Sequence, residues 1–258
     1  MIARPRVSRF IFWATMLFLF MPLVVLVLYS FNGSRTMAWG GVSLRWYEEL
    51  FFDSDDLWRA FGNSLLIAVS SAATATIIAT LGAIAINWYQ IRIRVYVQSV
   101  SLMPLVLPEI IVGVSLLVFF AGVGLRLGLW SIFLAHTSFN LPFVLLIVLA
   151  RLEEFDYSII EAARDLGASE RQTLLRVIVP ISMPGIISGF LTAFTLSLED
   201  FVITFFVSGP GSTTLPLFVY SMIRFGVSPV INALSVVIIG ATVALVILAR
   251  RFVKYIVR

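Results

Sequence analysis

The sequence predicts an all-α membrane protein with six transmembrane helices. The first observation is composition, because 60% of the 258 residues are hydrophobic and only 12% are charged, and the mean hydropathy is +1.03. The second is that apolar stretches of about 20 residues recur, the length a helix needs to cross a hydrocarbon core about 30 Å thick. The third is that basic residues collect in alternate connections. Together they exclude a disordered chain and an ordinary soluble domain.

Six spans and two long connections follow one another along the chain. The second span is crowded with Gly, Ala, Ser and Thr, and small side chains let helices approach closely in lipid, so we expect it to pack centrally. The third contains Pro104 and Pro108, which predict a kinked or locally unwound helix. We predict a single transmembrane domain, residues 1–258, which includes an inner loop at 151–183. The spans are residues 10–29, 62–88, 95–121, 131–150, 184–207 and 231–248.

Charge placement predicts the orientation of the chain. Six spans put both termini on one side of the membrane, and 13 of the 18 basic residues fall on that side, so the termini are expected in the cytoplasm. The arginines before the first span also resemble a signal peptide, but the apolar run is long and lacks an obvious cleavage site, so we expect it to be uncleaved. The 13 residues are Arg4, Arg6, Arg9, Arg92, Arg94, Arg151, Arg164, Arg171, Arg176, Arg250, Arg251, Lys254 and Arg258.

The inner loop carries two helix-start patterns. Ser158 and Ser169 are each followed three positions later by Glu or Gln, which is the pattern of a capping box. The first short helix is expected to run to Leu166 and stop at Gly167, and the second to end at Pro180. From these patterns alone, an ordinary solvated loop and a docking element are equally good interpretations.

The same loop also contains a motif. Glu161-Ala162-Ala163, Gly167 and Pro180 resemble the EAA signature of ABC importer permeases, a Glu-Ala-Ala, Gly, Ile-x-Leu-Pro pattern. Val177 and Val179 stand where Ile and Leu are usual, and both keep an apolar branched side chain. In such permeases this loop supplies a coupling helix that sits in a groove of a cytoplasmic ATPase. The resemblance therefore implies a coupling role for Glu161, Ala162, Ala163, Asp165, Gly167 and Pro180.

Short stretches along the whole chain resemble one family of these permeases. They are Ser30-Phe31-Asn32, Arg45-Trp46-Tyr47, residues 161–170, Phe194-Thr195-Leu196-Ser197, Ser208-Gly209-Pro210, Gly226-Val227-Ser228-Pro229 and Asn232-Ala233-Leu234. They look like the spermidine/putrescine (PotC/PotI-like) permeases, in which a pair of aspartates stands where this chain has Glu199-Asp200. The resemblance implies a type I importer permease fold in the bacterial inner membrane. It implies as partners a second, distinct permease subunit, two ATPase subunits that use ATP and Mg, a periplasmic binding protein and lipid.

Several chemistries lack the residues they need. The chain has no Cys, and its only lysine is Lys254, so it cannot build a P-loop for ATP phosphates. We therefore expect it to bind no cofactor and to leave ATP hydrolysis to a partner. The only histidine, His136, is expected to cap, pack or hydrogen-bond within the fourth span rather than act as a metal ligand or catalyst. An enzyme is disfavoured, and the basic excess in the loops indicates membrane orientation rather than nucleic-acid binding.

Three acids in apolar spans are the candidate substrate-path residues. Glu109, Glu199 and Asp200 each carry a charge that is costly in lipid unless it faces a wet cavity or a counter-charge. At about 1.5 Å per residue, both glutamates lie about 22 Å from the inner end of their spans. Ser197, Asp200 and Thr204 share one helical face. A set of carboxylates suits a multiply protonated amine, although solvated end charges or a partner's arginine are alternatives.

Trp46 is the candidate in the outer connection. It lies near Tyr47 and five acidic residues between positions 48 and 56. Trp and Tyr commonly anchor a span at the membrane interface, which is the favoured interpretation. A Trp face also attracts ammonium groups, so a cation-binding role on the substrate path is the alternative.

The predicted function is a permease subunit of an ATP-driven polyamine importer that works by alternating access. Another small solute, such as thiamine, ferric ion or a phosphonate, is an alternative, because the EAA signature concerns coupling and not cargo. The acids argue against a phosphonate. A secondary transporter driven by an ion gradient is a further alternative, but that interpretation does not explain the loop motif.

Overall fold

The structure, a computed structural model, is almost entirely helical and describes residues 5–36, 38–88, 94–154, 156, 158–225 and 228–256. Of the residues used above, Arg4, Arg92, Arg258, Gly226 and Val227 lie outside this range. The helices are α1 (Pro5–Ser30), α2 (Arg45–Phe52), α3 (Asp55–Trp88), α4 (Arg94–Val106), α5 (Glu109–Gly122), α6 (Leu129–Glu153), α7 (Ser158–Asp165), α8 (Glu170–Thr173), a π-helical turn (Leu174–Ile178), α9 (Val179–Glu199), α10 (Val202–Val207), α11 (Leu215–Phe225) and α12 (Val230–Ile256).

Four helices among the described residues are long and apolar enough to cross a membrane, and a bent pair brings the number to five. The sixth predicted span lies in α12, where the described apolar stretch, Val230–Ala244, is shorter. The described residues therefore support a polytopic membrane protein without reaching six unbroken spans. The four helices are Val7–Ser30, Asp55–Trp88, Leu129–Glu153 and Glu170–Glu199.

The third predicted span is broken rather than continuous. α4 ends at Val106, Pro108 directly precedes α5, and the two helices are bent by 101°. Proline disfavours helical backbone in the residue before it and has no N–H to donate. The predicted interruption is confirmed at Pro108, whereas Pro104 lies inside α4.

The fifth predicted span differs from expectation at both ends. The second loop helix does not end at Pro180, because helix continues from Glu170 to Glu199. A π turn lies just before the proline, with the Val179 N–H donating to the Leu174 carbonyl. This wider turn accommodates the proline ring, which would clash in a regular α-helix. At the outer end, α9 stops at Glu199 and α10 begins two residues after Asp200, so the expected single helix over 184–207 is wrong.

The described chain divides into two compact units. The first unit contains the residues up to Asp56 and those from Val219 onward. In it α12 packs against α1 and α2. The apolar window of α1 has none of its residues buried within this chain. An apolar helix this exposed suits contact with lipid or with another membrane subunit.

The second unit runs from Leu57 to Phe218 and is built around α6 and α9. A Cβ placed on Gly189 of α9 would lie 2.8 Å from Val144 Cγ1 of α6, so these helices touch at a glycine. Alanines of α3 at positions 72, 79 and 83 are buried in the same apolar cluster as Val144. Small residues thus allow close contact between α6 and α9. The alanines of α3 are buried in the same cluster, but the closest helix packing in this unit is between α6 and α9.

Candidate functional site

Trp46 lies in the first unit and is fully buried. Its indole Nε1 donates to the Asn32 carbonyl at 2.6 Å, and the guanidinium groups of Arg35 and Arg45 lie 5.8 and 5.3 Å from the ring centroid. The ring therefore holds the outer connection together and already has two cationic neighbours. A substrate cation would have to replace an arginine to reach it.

Glu109 and Glu199 lie in the second unit, and both are exposed. Glu109 is the first residue of α5, where the unpaired backbone N–H groups of a helix start favour a negative charge. Glu199 is the last residue of α9, directly before the helix break. Both carboxylates thus stand at helix interruptions, where a polar group costs less than inside an unbroken apolar span.

The arrangement of α5 and α10 relates these two positions. A Cβ on Gly113 of α5 would lie 3.4 Å from Ile203 Cα of α10, and Gly209, after α10, lies against the carbonyl of Leu127, after α5. The contacts follow the same order along both segments, so α5 and α10 run in the same direction. Glu109 at the start of α5 therefore lies toward the same end as the break at Glu199.

Asp200 belongs to a buried polar cluster instead of an open wall. Its side chain is 7% exposed, and its Oδ2 lies 3.1 Å from His136 Nε2. His136 Nε2 is also 2.9 Å from Thr204 Oγ1, and its Nδ1 is 2.6 Å from Ser197 Oγ. Ser71 Oγ of α3 lies 3.1 Å from Ser197 Oγ. The cluster thus connects α3, α6, α9 and α10 through five side chains.

The part played by His136 could not be predicted from the sequence. Hydrogen bonding was expected within the fourth span, and the structure shows that the partners instead lie on α9 and α10. The available signal was the spacing of Ser197, Asp200 and Thr204 on one face, because a buried carboxylate requires a partner. The identity of that partner depends on the register of α6 against α9, which no local pattern specifies.

The coupling-loop candidates lie on and around α7. The helix ends as predicted, because Gly167 has a φ of +83°. Its N–H donates to the Arg164 carbonyl at 2.8 Å, and the Ala168 N–H donates to the Ala163 carbonyl at 3.0 Å. This pair of bonds is a Schellman motif, which requires a left-handed residue that glycine supplies without strain.

The helix starts agree with one predicted capping box and correct the other. At α8, Ser169 Oγ accepts from the Gln172 N–H, and Gln172 Oε1 accepts from the Ser169 N–H at 2.9 Å. At α7, Ser158 is the first helical residue, and Asp156 Oδ1 accepts its N–H at 2.9 Å. This hydrogen bond, helped by the Ser158 side chain, lowers the pKa of Asp156. An aspartate therefore caps α7 where a serine was expected, because a carboxylate accepts backbone N–H groups strongly.

α7 is exposed on one side and packs against other helices on the opposite side. Glu161, Ala162 and Asp165 are exposed, and Leu166 is 89% exposed. Ile160 is buried in the apolar cluster that includes residues of α6 and α9. The Arg164 guanidinium lies 5.2 Å from the ring centroid of Trp88 at the end of α3. The helix is thus fixed on one side and open on the other, as a docking element needs.

Comparison with protein families decides the class of this chain. Residues 75–258 match the family described as binding-protein-dependent transport system inner membrane component. The chain belongs to this family. Its members are membrane-embedded components of transport systems, so this permease-family chain is a transport subunit with helices in the membrane.

Several relatives of this chain are permeases named for the transport of polyamines. The chain is 41% identical to the spermidine/putrescine transport system permease protein PotC of Escherichia coli K12, over 89% of this chain and 87% of that protein. It is 42% identical to PotC of Haemophilus influenzae, over 90% and 91%. It is 44% identical to the putrescine transport system permease protein PotI of Escherichia coli K12, over 87% and 82%.

Two solved structures share the permease-family fold. One is a bacterial ABC transporter involved in the import of the acidic polysaccharide alginate, with a TM-score of 0.70, 16% identity and coverage of 92% of this chain and 94% of that one. The other is the MetNI methionine ABC transporter in inward-facing conformations, with a TM-score of 0.64, 20% identity and coverage of 78% and 96%. These likenesses show that the chain shares its fold with chains of these two ABC transporters.

Proposed function

We propose that this chain is a permease subunit of an ATP-driven importer that carries polyamines such as spermidine and putrescine by alternating access. The observation that carries the proposal is the 41 to 44% identity, over most of the chain, to permeases named for these two substrates. The exposed carboxylates of Glu109 and Glu199 support it, because protonated amines are attracted to such groups.

The chain spans the bacterial inner membrane six times in this proposal, with both termini in the cytoplasm. It makes no covalent change to its substrate. α7 and the residues around it, from Glu161 to Gly167 with Pro180, dock onto a cytoplasmic ATPase that binds ATP and Mg. Two such ATPase subunits, a second and distinct permease subunit and a periplasmic binding protein complete the importer. The exposed face of α7 and its fixed base support the docking role.

The proposed substrate route uses carboxylates at the helix breaks. Glu109 and Glu199 meet the cation directly, and each contact must remain weak enough for release. Ser197, Asp200 and Thr204 form the buried side of the same break. In this proposal Trp46 contributes to the substrate path by holding the outer connection of its own unit together through its indole.

Uptake by the assembled importer tests the proposal. Labelled spermidine, putrescine, thiamine and ferric ion are offered to proteoliposomes that contain the complete complex. We expect ATP-dependent uptake of a polyamine and none of the other two solutes, and the reverse pattern would overturn the polyamine assignment.

A variant of Glu109 tests the substrate route. Loss of one ionic contact of about 1.4 kcal/mol corresponds to a factor of ten, so Glu109→Gln should lower polyamine uptake about tenfold.

The matched control is Glu154→Gln. Glu154 is also a glutamate near the end of a helix, but its exposed side chain pairs with Arg151, and such surface pairs contribute little. Uptake should therefore stay near the unaltered level. Equal losses in both variants would show that the effect of Glu109→Gln is not specific to the route.

The ion-gradient alternative is tested with the chain alone. The purified permease in proteoliposomes, with a proton gradient and no ATPase, should not accumulate polyamine, because in this proposal the partner ATPase supplies the energy for transport. Accumulation under those conditions would support a secondary transporter.

A further inference from the structure

His136 is the only histidine of the chain, and 2% of it is exposed. It lies in α6, facing the interruption between α9 and α10. Its Nδ1 contacts Ser197, before the break, and its Nε2 contacts Asp200 and Thr204, at and after the break. One rigid ring thus connects both sides of an interruption in the proposed fifth span.

The proton positions can be worked out from the partners. Thr204 Oγ1 donates to Asp200 Oδ2 at 2.7 Å, so neither oxygen offers a proton to the ring, and His136 Nε2 must carry the hydrogen. In the neutral ring Nδ1 then accepts from the Ser197 hydroxyl, and Ser197 accepts from Ser71. All members of the cluster are satisfied in this arrangement, which is the condition under which a buried polar network makes a structure rigid.

The break needs such support because it exposes backbone groups. Asp200 has an extended ψ of 122°, and its Oδ1 and Oδ2 accept from the N–H groups of Ile203 and Thr204 at 3.2 and 2.8 Å. The carboxylate therefore satisfies N–H groups at the start of α10 that have no partner within the helix. Without the His136 hydrogen bond, this buried carboxylate would lose a partner that compensates its charge.

We propose that His136 is a positioning residue: its hydrogen bonds hold the two sides of the break between α9 and α10 together and keep the Asp200 side chain in the buried cluster. We call this arrangement the clamp. Glu199 is then the carboxylate of the adjacent pair that is presented to a cationic substrate. The roles of His136 and Asp200 follow from the geometry, whereas the role of Glu199 rests on the proposed function. The two acids differ in burial as the proposal requires, since Glu199 is exposed and the Asp200 side chain is 7% exposed.

Amide hydrogen exchange in the assembled complex tests the clamp without reference to substrate. A hydrogen bond to a charged group is stronger than one between neutral groups, so His136→Leu should speed exchange across residues 202–207 about tenfold or more through local opening. His136→Gln keeps a donor for Asp200 and should give a smaller increase. Asp200→Asn should also speed exchange, and its effect should not add to that of His136→Leu, because the two residues act through one contact.

The matched control is Asn140→Leu. Asn140 is fully buried one turn further along α6, and its amide atoms have no hydrogen-bond partner among the described residues. This variant should leave exchange across residues 202–207 unchanged. Equal exchange in His136→Leu and the unaltered protein would overturn the clamp, as would an equal rise in the control. If His136→Leu does not assemble, Asp200→Asn carries the test, and unchanged exchange in that variant overturns the clamp.

Polyamine uptake tests the second half of the proposal separately. Glu199→Gln should lower uptake about tenfold while exchange across residues 202–207 stays unchanged. A loss of protection in Glu199→Gln, or unchanged uptake in it, would overturn the division of roles between the two acids. Absence of polyamine uptake by the unaltered complex would overturn the proposed substrate, and the exchange result for His136 would stand independently.

Discussion

Two adjacent acids have different environments in this chain because the backbone breaks between them. Glu199 ends a helix and is exposed, whereas Asp200 turns inward and accepts hydrogen bonds from Thr204 and His136. In a continuous helix the two side chains would be separated by about 100°. Because the backbone at Asp200 is extended, this helical angle does not apply to the pair. The surroundings of each residue, and not its charge alone, therefore decide its role.

At the scale of single residues, Gly167 is expected to be sensitive to any side chain. Its φ of +83° lies in the left-handed region, which costs a non-glycine residue about 1–2 kcal/mol and is especially poor for a β-branched one. Gly167→Val should therefore distort the end of α7 and reduce substrate-stimulated ATPase activity in the reconstituted complex, while the permease still inserts.

The control for this variant is Gly122→Val. Gly122 closes α5 without a positive φ, and a Cβ placed on it meets nothing within 4 Å. ATPase stimulation should remain normal in that control. Normal stimulation in Gly167→Val as well would remove the end of α7 from the coupling role.

The cap of α7 makes a second prediction at this scale. The pKa of Asp156 is lowered in the folded protein by the Ser158 N–H, so its stabilising contribution is present above the unfolded pKa and is lost as pH falls through the folded pKa. Protection of the α7 amides against exchange should be flat between about pH 5 and 8 and decline below about pH 4.

Two alanine variants separate the two capping candidates. Asp156→Ala should remove the acid-dependent part of the protection and weaken it at neutral pH, because the N–H of Ser158 loses its acceptor. Ser158→Ala should have the smaller effect, since its side chain is not the main acceptor. A larger effect of Ser158→Ala would restore the capping box expected from the sequence.

At the scale of helices, the contact between α6 and α9 depends on a glycine. A Cβ on Gly189 would lie 2.8 Å from Val144 Cγ1 and 3.6 Å from Val144 Cα. Overpacking costs about 1–3 kcal/mol, against up to about 1 kcal/mol gained in helix propensity. Gly189→Ala should therefore lower the melting temperature of the assembled complex.

A second substitution tests whether the clash is the cause. Val144→Ala removes the opposing methyl groups, so the double variant Gly189→Ala, Val144→Ala should be more stable than the two separate losses predict. Gly240→Ala in α12, where a Cβ meets nothing within 4 Å, should leave the melting temperature unchanged or raise it. Simple additivity at Gly189 and Val144 would contradict the predicted contact.

At the scale of the whole molecule, the absence of Cys makes the topology directly testable. Arg35→Cys places a thiol in the outer connection, where the Arg35 side chain is 69% exposed, and Leu166→Cys places one at an 89% exposed position after α7. A membrane-impermeant maleimide added from the periplasmic side should label the first and not the second. Labelling of both from one side would contradict the six-span orientation.

The membrane class, the order of the long apolar helices, the stop at Gly167 and the interruption near Pro108 follow from the sequence by itself. Each depends on a local property of the chain: the length of an apolar stretch, the left-handed backbone that glycine permits, or the N–H that proline lacks. Such properties do not depend on where the segment lies in the fold. The tertiary structure decided that helix continues through Pro180, because a wider π turn before it leaves room for the proline ring. It also decided the break at Asp200, whose carboxylate is held by His136 from another helix. Such a contact depends on helix register, a property of packed pairs that no single segment contains.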